Sequence, residues 1–374
     1  MNKHKKTVSY VFGAGRLKKL TSGEKIAREF FYGYYFFSEN KNVPIIEMKL
    51  PNESKNVLLN YIDKILRKLT KLPIYTKDIL NIQNFKTLLN TQTLVITTDL
   101  LALSLLPYLI IAKLIKSIEI HVIVMGLFGR RPNNFVLRIF QNVYVNLLIS
   151  ITTSFIFLGK GEYDYALERR KKSSQKFHFL PFSIDTDFWM SEDLTTEIQN
   201  NDVLFVGNDG KRDFKLLKEI AERMPDVNFT FITSQISNLN LTNVELLRGN
   251  WNEQILTDEL IKSYYLSSKL TIIPLVDSLQ PSGQSVALQS MSCGTPVLIT
   301  NTDGFWDRDK FIDDENIIFI NERDSEEWEL VIRSLLKDKK NLDRISKNGK
   351  GLIYSEFNLT KFNQKLEKII GSEV

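Results

Sequence analysis

Short apolar runs, each about as long as one β-strand, alternate with longer helix-like stretches along the whole chain. A strand buried on both faces reads as such a run, and a crossover helix is what returns the chain to start a parallel neighbour. The alternation therefore predicts parallel α/β layers. In the first half the expected strands are residues 8–12, 43–48, 94–97, 121–125 and 154–158. Helical stretches fall between them: one starting near Thr21-Ser22 as N-caps and running through Phe30-Phe31, one at about 55–69, and one at about 101–116. The pattern then restarts. Val203-Leu204-Phe205-Val206 is a strand, Gly207-Asn208-Asp209-Gly210 a turn, and 211–224 a helix, followed by strands at 229–233, 270–274 and 296–300. Residues 341–370 read as helical and charged.

The restart implies two domains. The polar, weakly periodic stretch 185–201 marks the boundary, giving an N-terminal domain over 1–185 and a C-terminal domain over 186–374, with terminal helices expected to pack back on the first. A length of 374 residues with 43% hydrophobic residues suits two cores better than one. Two α/β units joined by a short linker create a cleft between the carboxyl ends of two sheets, and such crevices bind ligands.

Composition narrows the chemistry. A single cysteine, Cys293, excludes an intrachain disulfide framework and multi-cysteine zinc or iron–sulfur sites, and fits a reducing compartment, most simply the cytoplasm. The three histidines, His4, His121 and His178, show no metal-ligand spacing. The apolar run after the basic start is too short for a signal-peptide core and ends at Gly13. Residues 100–112 are uncharged but too few to span a bilayer. Residues 139–159 are uncharged too, but seven of them are Gln, Asn, Ser or Thr, so they read as a buried helix followed by a strand. Residues 1–185 carry 28 Lys and Arg against 13 Asp and Glu, whereas 186–374 carry 21 against 31. The basic half suits an anionic acceptor, and with the apolar stretches near Leu100 it predicts a peripheral seat on the anionic inner face of a membrane; ordinary solvated charge is the plainer reading.

One segment carries the strongest chemical signal. The expected strand ending at Pro274 runs into the loop Ser278-Leu279-Gln280-Pro281-Ser282-Gly283-Gln284-Ser285, and a helix begins near Ser285. Small residues at a helix start leave backbone N–H groups free where the dipole favours an anion. Gly283 lets a phosphate approach the backbone, and Gln289 lies one turn further along. A plain strand-to-helix loop explains the same residues, because Gly-Ser loops are common.

The stretch Pro281-Ser282-Gly283-Gln284-Ser285-Val286-Ala287-Leu288-Gln289-Ser290-Met291-Ser292-Cys293-Gly294-Thr295-Pro296-Val297 resembles the donor-nucleotide motif of glycosyltransferase family 4 and its GT-B relatives. His178 through Phe188 resembles the interdomain signature of that family, and 203–213 the strand and loop that open its C-terminal domain. The resemblance implies a GT-B fold, two Rossmann-like domains facing across a cleft. It also implies a glycosyltransferase that moves a sugar from a nucleotide-sugar donor to a glycan or lipid-linked acceptor, in surface polysaccharide or glycoconjugate synthesis. Retention of configuration, front-face attack and no metal or other cofactor are what it further implies; nucleic acid is not an expected partner.

Carried over by position, Gln289 stands where the family has its second Glu, which holds the donor ribose; an amide brings no charge there. The first Glu aligns with Pro281. Gly283, Gln284 and Ser285 would bind the donor phosphates or sugar. Lys211 and Arg212 would neutralise the leaving pyrophosphate as catalytic cations, with Asp213 orienting Arg212 and with Asn208 where an Arg is usual; a solvated helix start is the alternative. Gly207 opens that turn. Gly15, in the lone Gly13-Ala14-Gly15, is a donor-side candidate, and Arg16 an acceptor-side one. Met125 replaces a family His, and Asp99 is the substitute considered for its sugar contact, a helix N-cap being the other reading. Thr233 and Asn250, with Trp251 beside it, stand where such enzymes contact the base. Asp185-Thr186-Asp187 is read as part of the interdomain signature and not as a metal-binding Asp-x-Asp. The substitutions at Pro281, Gln289 and Met125 keep open a catalytically inactive sugar-nucleotide or glycan-binding protein on the same fold.

Overall fold

A computed structural model of the protein describes residues 7–23, 25–39, 42–50, 56–190, 201–249 and 256–371. It divides into two compact units that are interleaved in sequence. The first is Met1–Glu24, Phe31–Leu180 and Asn363–Val374; the second is Lys25–Phe30 and Pro181–Phe362.

In the first unit, β1 (Val8–Phe12), β2 (Ile45–Glu47), β3 (Thr93–Ile96), β4 (Glu119–Val124), β5 (Ser154–Phe157) and β6 (Phe177–Phe179) form one sheet. Its order is β2-β1-β3-β4-β5-β6, and every pairing is parallel, with Tyr10 opposite Ile45 and Val95 opposite His121. β3 and β5 are buried at every position. The helix Asp99–Ile115 supplies Leu101, Leu103, Leu105, Leu106 and Leu109 to the core above them.

The second unit holds β7 (Asn201–Val206), β8 (Phe229–Ile232), β9 (Val244–Leu247), β10 (Ser268–Ile273), β11 (Val297–Thr300) and β12 (Ile318–Ile320). Their order, β12-β11-β10-β7-β8-β9, is also parallel throughout. Counted within the unit this is 3-2-1-4-5-6 read from β9, so the order reverses between β7 and β10, the place where such sheets bind ligands.

The strand expectations land within a few residues, and the structure adds β6, β9 and β12. The first helix differs. Thr21 ends the helix Arg16–Thr21 instead of starting one, because Gly23 takes φ of +72°, and residues 29–31 form a single 3₁₀ turn. The helix expected at 211–224 spans Phe214–Arg223.

The uncharged stretch at residue 100 is mostly buried in the first core, so it is not a lipid-facing surface. Residues 139–159 are the rest of the helix Phe135–Ile151 and then β5. Among the described residues no helix is long and apolar enough to cross a membrane.

Candidate active site

The reversal between β7 and β10 is closed by two loops stitched together. Asp213 N donates to Pro274 O at 2.9 Å, Val276 N donates to Lys211 O at 3.0 Å, and Arg212 pairs with Leu275 in an isolated antiparallel bridge. This stitching drives the Arg212 side chain inward, where it is 6% exposed. Its Nη1 lies 3.1 Å from Asp209 Oδ2, and burial pulls its pKa below the usual guanidinium range while the Asp209 charge opposes that. Asp209, not Asp213, is therefore the carboxylate that orients Arg212. Asp213 is spent as the N-cap of Phe214–Arg223, accepting from Leu216 N at 3.0 Å. The cap satisfies one of the orphan N–H groups at that helix start.

Two glycines make room for the guanidinium. A Cβ on Gly207 would overlap the Arg212 side chain, and a Cβ on Gly283 would sit 3.5 Å from Arg212 Nη1. Gly283 has φ of +80° and is the N-cap of the helix Gln284–Ser292, whose first intrahelical bond runs from Ala287 N to Gly283 O at 2.9 Å. The N–H groups of Ser285 and Val286 thus lie in the first turn, ahead of the first intrahelical bond. A buried guanidinium beside the positive end of a helix is unfavourable unless an anion lies between them. Arg212 Nε also has no hydrogen-bond partner among the described residues. Arg212 and the start of this helix thus present donors to the same space, with Asp209 the carboxylate already paired to the guanidinium. Gly283→Ala is expected to cost about 1–3 kcal/mol, from the left-handed φ and from a Cβ 2.8 Å from Ile273 Cγ2. Chemical denaturation of the variant checks this.

Gln289 lies further along the same helix, 7% exposed, and both ends of its amide are occupied. Nε2 donates to Glu29 Oε1 at 2.8 Å, and Oε1 accepts from Tyr265 OH at 3.3 Å. Glu29 comes from the segment Lys25–Phe30, which the rest of the second unit holds at several points. Ala27 N donates to Asp258 Oδ2 at 3.0 Å, Arg28 N to Asp185 Oδ2 at 3.2 Å, and Trp189 Nε1 to Glu29 Oε1 at 2.9 Å. Burial pushes the Glu29 carboxyl up to about 7, with the bond from Gln289 opposing and the Asp258 charge adding. A carboxylate thus stands directly behind the Gln289 amide. Sequence reasoning missed it, since its partner is 260 residues away. Asp185 caps the helix Thr186–Trp189 while holding Arg28, which accounts for one carboxylate of the Asp-x-Asp string.

The loops after β7 and β8 are joined by Asn208. Its Oδ1 accepts from Thr233 Oγ1 at 3.1 Å and Ser234 N at 2.6 Å. Lys211 is half-buried beside Arg212, its N–H on Asp209 Oδ1 at 2.8 Å. Ser285 is half-buried and Gln284 buried at the helix start. Asn250 and Trp251 lie outside the described residues.

In the first unit the order changes between β1 and β3; the chain after those strands carries Arg16 and Asp99, and Met125 follows β4. Gly15, φ +87°, starts the helix Arg16–Thr21, and the Arg16 guanidinium lies 5.7 Å from the Phe31 ring centroid. Thr98 is the N-cap of Asp99–Ile115, accepting from Leu101 N, so Asp99 is free of that duty. Asp99 Oδ1 instead accepts from Met125 N at 2.8 Å, and Oδ2 faces Arg130 Nη1 at 3.4 Å. Burial raises the Asp99 carboxyl, and the Arg130 charge opposes it. Glu162 receives the next turn of chain from Gly126 N and Phe128 N at 2.7 and 2.8 Å, and burial pushes it up to about 7. Asp99, Met125 and Arg130 therefore form one cluster at the end of β4. Among the described residues no group of three or more His, Cys, Asp or Glu is placed to hold a metal ion.

Two Rossmann-like parallel sheets, the second with a buried arginine at its strand-order reversal, make up a GT-B fold. Residues 191–352 match the family model described as glycosyl transferases group 1. Over those residues the chain resembles that family, and its fold is that of the GT-B glycosyltransferases. Among solved structures it is similar to Anabaena Alr3699/HepE in complex with UDP-glucose, at 13% identity and a TM-score of 0.64, covering 98% of this chain and 100% of that one. It is similar also to sucrose-phosphate synthase (tll1590) from Thermosynechococcus elongatus, at 14% identity and a TM-score of 0.67, covering 96% and 98%. A glycosyltransferase from Rickettsia africae ESF-5 matches at 13% identity and 0.64, covering 98% of each chain. No curated protein matches.

Proposed function

We propose that this chain transfers a sugar from a nucleotide-sugar donor to a glycan or lipid-linked acceptor, with retention of configuration and without a metal. The observation that carries the donor half is the buried Arg212 guanidinium beside the start of Gln284–Ser292, an arrangement that wants a diphosphate. Arg212, with Lys211, supplies the positive charge that a metal would otherwise bring to the departing phosphate. Alr3699/HepE, a protein of the same fold, was solved with UDP-glucose, which makes UDP the first nucleotide to try. Retention rests on the family resemblance; the donor phosphate takes the acceptor's proton in a front-face attack, and no side-chain nucleophile is assigned.

UDP, GDP, ADP and dTDP should be titrated against thermal unfolding. One of them is expected to raise the midpoint, since a ligand of the folded state stabilises it in proportion to the logarithm of its concentration over Kd. A chelator is expected to leave that shift and the turnover unchanged. No shift with any nucleotide would remove the donor site from Arg212 and Gly283. A shift without transfer, over a panel of sugars and acceptors, would favour the inactive binding protein that Gln289 and Met125 suggest.

A peripheral membrane seat fits the same reading. The helices Val57–Thr70 and Phe135–Ile151 pack side by side in the first unit. Each shows an apolar stripe to solvent: Val57, Leu58 and Tyr61 on one, Phe135, Val136 and Val143 on the other. Both stripes lie in the basic half of the sequence.

A further inference from the structure

The first unit contains a pocket of about 250 Å³, open to solvent on one side and lined by the helix Phe135–Ile151, the loop after β4 and the helix Lys160–Arg169. At roughly 30 Å³ of liquid per water it has room for several waters, enough for a polyatomic anion. Five arginines line it: Arg130 and Arg131 from the loop, Arg138 from the long helix, and Arg169 and Arg170 from the other side. No carboxylate lines it.

The arginines are held by neutral groups more than by charges. Arg170 donates from Nη1 to Asn146 Oδ1 and from Nη2 to Asn142 Oδ1, each at 2.8 Å. The Arg169 guanidinium lies over the Tyr165 ring, 5.0 Å from its centroid. Arg138 Nη2 reaches the Asn133 carbonyl at 3.1 Å, while its buried Nε has no partner among the described residues. Among the described residues, Arg130 is the one of the five that faces an acid, Asp99. The wall also holds Gln141, 6% exposed, whose buried Nε2 donates to nothing among the described residues. Five like charges around one space repel, and unmade donors inside it cost free energy. An oxyanion with several acceptor oxygens relieves both, and phosphate matches the guanidinium fork.

We propose that this cavity binds a phosphate or diphosphate group of the acceptor, so that the sugar is delivered to a phosphorylated molecule. The proposal rests on the glycosyltransferase reading for the word acceptor. Asp99 ties the cavity to the acceptor-side candidates of the same unit, since it holds Met125 N with one oxygen and faces Arg130 with the other.

The test uses inorganic pyrophosphate and the full chain carrying Arg212→Ala, which removes the anion site of the second unit from the measurement. Calorimetric titration at low ionic strength is expected to show one site, weakened by added salt. Arg131→Gln, Arg138→Gln and Arg169→Gln together should raise Kd at least about tenfold, as loss of charge-assisted hydrogen bonds does. All three residues are exposed or half-buried, so the fold should survive; Arg138→Lys alone, keeping the charge and losing the fork, should fall between. Pyrophosphate binding equal in all variants would overturn the site.

With Arg212 restored, the triple variant should raise KM for a phosphorylated acceptor at least about tenfold and leave KM for its dephosphorylated form unchanged. Equal KM values would overturn the acceptor assignment while leaving the glycosyltransferase reading intact. Loss of sedimentation with phosphatidylglycerol vesicles, together with an unchanged acceptor KM, would assign the cavity to a lipid headgroup and overturn it equally. Pyrophosphate binding that needs the arginines, in a chain that transfers no sugar to any acceptor, would sink the transfer reading and with it the acceptor assignment.

Discussion

Replacing Arg212 by alanine is expected to lower turnover by about 100- to 1,000-fold, the range seen when one preorganised donor to a developing oxyanion is lost. The guanidinium is buried, flanked by Gly207 and Gly283, and next to the start of the helix Gln284–Ser292. Charge that grows on a departing phosphate meets it in a water-poor site, where each interaction is stronger than in bulk. The effect should fall on kcat more than on KM, because the bond strengthens as the leaving group forms. Arg212→Lys should recover only part of the loss, since an ammonium lacks the planar fork. Lys211→Ala alone should cost less, and the double variant most. The fold should tolerate the change, because the remaining partner, Asp209, has a side chain 44% exposed and stays hydrated. Steady-state kinetics decide it: a double variant with the activity of the parent would sink the catalytic assignment.

A second large effect concerns pH. The Glu29 carboxyl has a folded-state pKa of about 7, against an ordinary value of 4.5. Below the ordinary value both folded and unfolded chains hold the proton. Between the two values the folded protein keeps it and the unfolded chain releases it, so stability falls as pH rises. Above 7 the loss is complete, and amounts to about 3 kcal/mol at most for this one group. Glu29→Gln keeps an oxygen for Trp189 and Gln289 and cannot ionise. Its stability should therefore match that of the parent near pH 5 and exceed it near pH 8. The four tryptophans, Trp189, Trp251, Trp306 and Trp328, all lie in the sequence of the second unit, so tryptophan fluorescence during urea unfolding reports on the unit that holds Glu29. The same downward slope in Glu29→Gln would show that other groups set it.

Much of the fold was legible because strands such as β3 and β5 are buried on both faces and read as uninterrupted apolar runs. The missed strands are short. β6 and β12 have three residues each, and β9 is only partly buried at the sheet edge, so none leaves a period to detect. The loop at Gly283 and the Lys211-Arg212 pair were visible because their spacing is local. Glu29 was not, since its surroundings read as helix and its role depends on Trp189 and Gln289, distant in sequence. The arginine cavity was equally hidden. Arg130, Arg138 and Arg169 look like scattered surface charge until β4, the helix Phe135–Ile151 and the helix Lys160–Arg169 bring them around one space.

The interleaving of the two units bears on how the molecule comes into being on the ribosome. Glu29 is made early, and Gln289 follows 260 residues later. At roughly 5–20 residues per second that interval is on the order of 10–50 s. For that time the segment 25–30 lacks the Gln289 partner it has in the second unit, while the piece of the first unit from residue 363 onward is made later still. The sheet and core of the first unit are drawn from residues 8–179 and are all present early, whereas the second unit gains the Glu29 bond to Gln289 only late, and an isolated fragment beginning at residue 181 would lack the carboxylate that Trp189 and Gln289 bond.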